Sequence, residues 1–170
     1  MLRQVRKLRG AIAALAVALA LVLYICPSEP QKYASAADAG ASASAPGDVF
    51  HASLTGPGRI AVSSQGEVVV EVTARNGFHV NDEYPHSFRP TQGVEGVRFG
   101  ADRFDLRQGW ERTPCPAEPD HACAVRTRVP FQATAKGARR AEGVVALSVC
   151  NPEICLIEKV SVSAPIEATE

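Results

Sequence analysis

The chain has 170 residues and a mass of 18.0 kDa, 46% hydrophobic and 21% charged, with 18 basic side chains against 18 acidic ones. That composition excludes an intrinsically disordered chain and a multidomain enzyme, and fits one ordinary domain. Formal neutrality and a pI near 6.9 remove the basic excess with which a nucleic-acid binder displaces counterions, so nucleic acid is not an expected partner.

The first ten residues carry Arg3, Arg6, Lys7 and Arg9 with no acid, and sixteen unbroken apolar residues follow from Ala11 to Cys26. This is the pattern of an export signal. As a helix the apolar run spans roughly 24 Å against a hydrocarbon core of about 30 Å, short for a permanent crossing. Residues 1–26 are therefore expected to be a signal peptide or, if left uncleaved, a membrane anchor. Tyr24 and Ile25 are bulky where a lipoprotein signal carries small residues, so Ala34, Ser35 and Ala36 make a better cleavage site than Cys26. In residues 27–48, sixteen of twenty-two are Ala, Ser, Pro or Gly, too little bulky apolar surface to offset the entropy of ordering the backbone. This segment reads as a flexible linker, leaving a folded domain at residues 49–170 with a formal charge of −2.

No stretch of that domain repeats apolar residues at helical spacing, whereas short runs rich in Val, Ile and Thr are bounded by Gly, Pro or Asn. Val68, Val70 and Val72 alternate with Val69, Glu71 and Thr73; Val125, Thr127 and Val129 alternate with Arg126 and Arg128. Such alternation is the signature of strands with one buried face. Further strands are expected at residues 49–54, 59–63, 94–99, 144–150 and 155–163. Seven or eight short strands in 122 residues predict an all-β, antiparallel immunoglobulin-like β-sandwich.

Asn76-Gly77 is a turn signal, and the segment after it crowds Phe78, His79, Tyr84, His86 and Phe88 around Asn81, Asp82 and Pro85. The segment is either a cap that excludes water from a site or a long loop packed on the sandwich edge. Trp110, the only tryptophan, reads as packing.

Setting Cys26 aside, four cysteines remain in two close pairs, Cys115 with Cys123 and Cys150 with Cys155, and export permits both to be disulfides. The first pair closes the Pro-rich loop CPAEPDHAC, where a structural bridge would brace irregular backbone. The second pair flanks Asn-Pro-Glu-Ile as a four-residue hairpin loop. If Cys150 faces Cys155, Val149 faces Leu156 and Val145 faces Val160 on one side. Ser148 with Ile157 and Ala146 with Lys159 share the other side with the cysteines. The disulfide then lies on the less apolar face, near solvent or under a covering loop, where an attacking thiolate can reach one sulfur. Chain entropy does not separate the two pairs, at roughly 2 kcal/mol for the shorter loop and a few tenths more for the longer. Glu153 and Glu158 would disfavour a thiolate, and Lys159 is the nearest basic residue in sequence.

Two segments, GFHVNDEYPHSF at residues 77–88 and SVCNPEICLIEK at residues 148–159, resemble the N-terminal periplasmic domain of the thiol:disulfide interchange protein DsbD family. The resemblance implies an immunoglobulin-like domain in which Cys150 and Cys155 are the redox pair. Phe78, Tyr84 and Phe88 would belong to a cap loop, and reducing equivalents would pass to thioredoxin-fold partners in the periplasm or cell envelope with no bound cofactor. The four-residue spacing is shorter than the family's usual interval, and Cys115 and Cys123 have no counterpart in its pattern. The family's membrane electron-transfer and thioredoxin-like domains do not follow, so the resemblance implies a separate membrane electron donor.

Other chemistries have less support. The only methionine is Met1, and no histidine follows Cys150 or Cys155 closely, so a mononuclear blue-copper site lacks ligands. His121 lies between Cys115 and Cys123, but neither pair has the short C-x2-C knuckle of structural zinc sites, and no metal is expected. No G-x-S-x-G or glycine-rich phosphate loop occurs. The competing reading is a tethered β-sandwich binding module of the cell envelope whose disulfides are purely structural.

Overall fold

A computed structural model describes residues 42–44 and 48–170; the expected export segment and most of the expected linker lie outside the described residues. Every regular element described is a strand: β1 (Ser42–Ser44), β2 (Phe50–Thr55), β3 (Gly58–Ala61), β4 (Gln65–Ala74), β5 (His79–Val80), β6 (Ser87–Pro90), β7 (Val97–Phe99), β8 (Phe104–Asp105), β9 (Glu111–Pro114), β10 (Ala122–Ala133), β11 (Gly137–Cys150) and β12 (Cys155–Thr169). Among the described residues no helix is long and apolar enough to cross a membrane. The all-β expectation holds.

The strands form one continuous, curled sheet in the order β1-β2-β4-β10-β5-β11-β12-β3, with β6 to β9 as short additions beside β10 and β11. Neighbours are antiparallel except β3, which runs parallel to β12. The curl brings β2 close to β12, although they lie near opposite ends of that order.

The core follows from period-two alternation. Val68, Val70 and Val72 of β4 point inward, as do Val125, Thr127 and Val129 of β10, and the register sets Val72 against Val125 and Val68 against Val129. Thr127 is the one polar residue in that set; its buried hydroxyl donates to the Leu106 carbonyl at 2.6 Å. Phe50 and Leu54 of β2, Phe88 of β6, Leu147 of β11 and Ile166 of β12 complete a single interior. Gly143 is small because the Phe88 ring lies across it, and the Arg89 carbonyl oxygen would stand 2.6 Å from any added Cβ.

β11 and β12 run as one hairpin from Gly137 opposite Ala168 to Cys150 opposite Cys155. Val149 opposite Leu156, Ser148 opposite Ile157, Ala146 opposite Lys159 and Val145 opposite Val160 all occur as the hairpin reading requires. Asn151 builds the turn: its side-chain oxygen accepts the backbone N–H of Glu153 at 3.0 Å and of Ile154 at 2.8 Å, while its own N–H donates to the Ile154 carbonyl.

β5 is only two residues long but sets the geometry of the site. Asn76 and Gly77, both at positive φ, reverse the chain after β4, and Phe78 N–H closes the turn on the Arg75 carbonyl at 3.0 Å. The returning chain lies between two longer strands. Val80 pairs with Ala122 of β10 and Val149 of β11, and His79 pairs with Cys150.

Candidate functional site

β5 lies between the strands that carry the two cysteine pairs, with Val80 facing both Ala122 and Val149 and His79 facing Cys150. Cys150 and Cys155 form a cross-strand disulfide whose Cα atoms are 4.0 Å apart, and Cys115 and Cys123 form a second. The second closes a loop between β9 and β10 at a bulge: Ala122 faces Pro114 and Ala124 faces Thr113, so Cys123 is the extra residue. Inside that loop the Cys115 N–H donates to the His121 carbonyl and the His121 N–H to the Glu118 carbonyl, both at 2.9 Å.

Cys150 and Cys155 are unequal in exposure. Cys150 is buried, at 7% of its surface, whereas Cys155 is exposed. Beside Cys155 stand Ile154 in the turn and Ile157 on the cysteine-bearing face, 52% and 62% exposed, the only large hydrophobic side chains open to solvent among the described residues. Isolated exposed apolar residues are ordinary, but two flanking one accessible disulfide make a local apolar patch. Glu158 has the strand parity of Leu156 and Val160, which pack on the core; Lys159 shares the cysteine-bearing face with Ala146. The basic residue of that pair is thus the one on the disulfide's side.

The three aromatic residues assigned to a cap separate. Phe88 is fully buried in β6 opposite Val145, with its ring 5.8 Å from that of Phe99. Phe78 is half-buried against the core. Tyr84 lines an open groove with Ala146 and Lys159, on the hairpin face that carries the cysteines. Asn81 covers that face next to Cys150, donating its backbone N–H to the Ser148 carbonyl at 3.0 Å, with its side-chain amide 3.4 Å from the Ser148 hydroxyl. Ser148 is fully buried as a result.

His86 holds this segment in place. The Asn81 carbonyl can only accept, so Nε2 of His86 carries hydrogen and donates at 2.7 Å, while Nδ1 is buried without a partner. The ring lies 5.2 Å from Tyr84 and 5.3 Å from Trp110. Burial, and secondarily the Arg107 cation, hold His86 below the ordinary imidazole value, against the opposing effect of the Asn81 carbonyl.

One cluster was not legible as a unit in the sequence. The rings of His79 and His121 stack at 3.9 Å with an interplanar angle of 18°, and ligand atoms of both lie within 4.8 Å of each other and of a Glu118 carboxylate oxygen. Partial burial, then the charge His121 would carry, lower the pKa of His79; Glu118 and Asp82 oppose this. His121 lies between two cysteines in sequence, but their sulfurs are bonded to each other. The other donors are Glu118, three residues before His121, and His79, brought in by β5.

No family model matches the sequence, and no curated protein matches it. Among the solved structures that match, two align over most of the chain with low similarity. AvmM, which catalyzes macrocyclization in alchivemycin A biosynthesis, is 12% identical with a TM-score of 0.34, over 76% of this chain and 97% of its own. AggA, the major subunit of aggregative adherence fimbriae type I from Escherichia coli, is 10% identical with a TM-score of 0.33, over 75% of this chain and 98% of its own. Neither likeness carries an argument about fold or function.

Proposed function

We propose that the chain is an exported, immunoglobulin-like thiol-disulfide exchange domain, similar in role to the N-terminal domain of DsbD, with Cys150 and Cys155 as its redox pair. The observation that carries this reading is the cross-strand disulfide with one buried and one exposed cysteine, beside Ile154 and Ile157 at the same hairpin tip. Two disulfides support an oxidising compartment, and residues 1–26 support export to the periplasm or cell envelope, with cleavage or anchoring there. The all-β fold over one interior supports the coarser part of that assignment, while its strands join in one continuous curled sheet rather than in two separate ones.

In the reducing half-reaction a thiolate of a donor dithiol attacks Sγ of Cys155. A mixed disulfide forms, and Cys150 leaves as the thiolate and takes up a proton. The donor's second thiolate then attacks its own mixed-disulfide sulfur, releasing Cys155 as a thiol and leaving the donor oxidised. Reversal of these steps against a thioredoxin-fold partner's disulfide passes the electron pair onward without a cofactor. Ile154 and Ile157 supply the apolar contact for docking, Asn81 and Tyr84 cover the neighbouring face, and the Cys115–Cys123 bridge braces the adjoining loop.

Trapping tests this directly. In Cys150→Ser the mixed disulfide cannot be resolved from within the domain, so Cys155 retains partners as complexes that reducing agent releases. Cys155→Ser is expected to retain few. Equal trapping by both variants, or by neither, overturns the assignment of Cys155 as the entry point.

A further inference from the structure

We propose that His79, Glu118 and His121 form a binding site for one divalent metal ion of the zinc type, placed between the two disulfide-bearing loops. The donor set is chemically apt: two imidazoles and one carboxylate suit zinc, and three protein ligands leave a fourth position for water or an exogenous ligand. The geometry is close to closure, since candidate ligand atoms within 4.8 Å of one another need to approach to about 3.4 Å around a tetrahedral ion with bonds near 2.1 Å. The His79 and His121 rings, stacked at 3.9 Å, must turn out of their near-parallel arrangement so that one ion can lie in the plane of both, and the exposed Glu118 can follow by rotamer change.

The backbone holds the donors independently of any ion. His79 is fixed by pairing with Cys150, and its neighbour Val80 pairs with both Ala122 and Val149. Glu118 and His121 are joined by the hydrogen bond from His121 N–H to the Glu118 carbonyl, within a loop closed by the Cys115–Cys123 bridge. Such preorganisation lowers the ordering cost of binding.

Apart from the ring stack, the donor atoms have no competing polar partner among the described residues. Among the described residues no hydrogen bond engages an imidazole nitrogen of His79 or His121, and no ion pair engages the Glu118 carboxylate. Asp82, another acid acting on His79, is instead paired with Arg112 at 2.5 Å. Neither disulfide sulfur is a ligand, so the site does not depend on the exchange chemistry. A bound ion would tie the Cys115–Cys123 loop to the strand that flanks Cys150. The same nitrogen and oxygen donors would bind copper(II) more tightly than zinc, as the order of divalent-ion affinities requires.

Titration calorimetry of zinc(II) into the untagged, disulfide-bonded full chain, in copper-free buffer at pH 7.5, tests the site. One saturable equivalent is expected, with affinity reduced at least about tenfold in Glu118→Gln and further in His79→Ala and His121→Ala. Glu118→Gln alters an exposed side chain and keeps the test available if a histidine variant fails to fold. In the wild-type chain the ring-nitrogen resonances of His79 and His121 should move together with one equivalent of zinc, while those of His51 and His86 stay in place. Absence of saturable binding by the folded chain, unchanged affinity in folded variants, or a response at other histidines overturns the proposal.

Discussion

His79 is the cross-strand partner of Cys150, and that pairing sets the His79 ring, stacked at 3.9 Å on His121, beside both disulfides. A two-residue strand therefore brings together a cysteine pair late in the chain and a loop closed by a different cysteine pair. The local consequence is a hairpin tip whose outer cysteine is exposed and whose inner cysteine is covered by its neighbours.

The two disulfides are expected to behave differently on removal. Replacing Cys115 and Cys123 together by serine should lower stability by about 2 to 3 kcal/mol, from the loss of loop closure, while leaving exchange at Cys155 intact. Replacing Cys150 and Cys155 should abolish exchange at a similar stability cost. Denaturant unfolding and an exchange assay with a small dithiol separate the effects; loss of exchange in the first double variant would assign the chemistry to the wrong pair.

Ile157→Asp changes a side chain that is 62% exposed, so its effect on stability should stay within about 0.5 kcal/mol. Its effect on a partner should be much larger, with the rate of exchange with a protein dithiol falling about tenfold while that with dithiothreitol is unchanged. Equal effects on both reductants would show that Ile157 does not contact the partner.

His86 makes stability depend on pH. Its folded-state pKa lies below the unfolded value near 6.5, so below that pH the unfolded chain binds a proton that the native chain refuses. Stability is therefore full above about pH 6.5 and is lost as pH falls toward the folded-state value, by at most about 1.4 kcal/mol per pH unit for this one group. Urea unfolding between pH 7.5 and 5.5 should show this slope in the wild-type chain and a smaller one in His86→Gln. An equal slope in the variant would place the dependence elsewhere.

Gly143→Ala should destabilise the domain by about 1 to 3 kcal/mol, because the added methyl meets the Phe88 ring and the Arg89 carbonyl on the facing strand. A thermal midpoint unchanged from wild type would mean that β6 shifts freely, contrary to its burial in the core.

Alternation made the two valine-rich strands readable, because Val68, Val70 and Val72 and then Val125, Thr127 and Val129 each supply three inward positions in phase. The Cys150–Cys155 hairpin was readable for a different reason: a four-residue loop fixes the opposing residues, and parity then assigns both faces. β11 extends back to Gly137, earlier than its apolar run suggests, because Arg139 and Arg140 occupy strand positions with their long side chains only partly buried. β5, β6, β8 and β9 have two to four residues each, too few for a periodic signal, and long-range pairing determines where they lie. The partnership of His79 with His121 was invisible for that reason, as was the inward turn of Phe88 away from the cysteine-bearing face.

Whether Cys150 and Cys155 cycle between dithiol and disulfide is read from a redox titration of the full chain with each cysteine's alkylation mapped by mass spectrometry. Reversible reduction of this pair between about −200 and −270 mV, with Cys115 and Cys123 still bonded, is the predicted result. Resistance of Cys150 and Cys155 to reduction until below about −300 mV would contradict the account and leave a tethered β-domain held by two structural bridges.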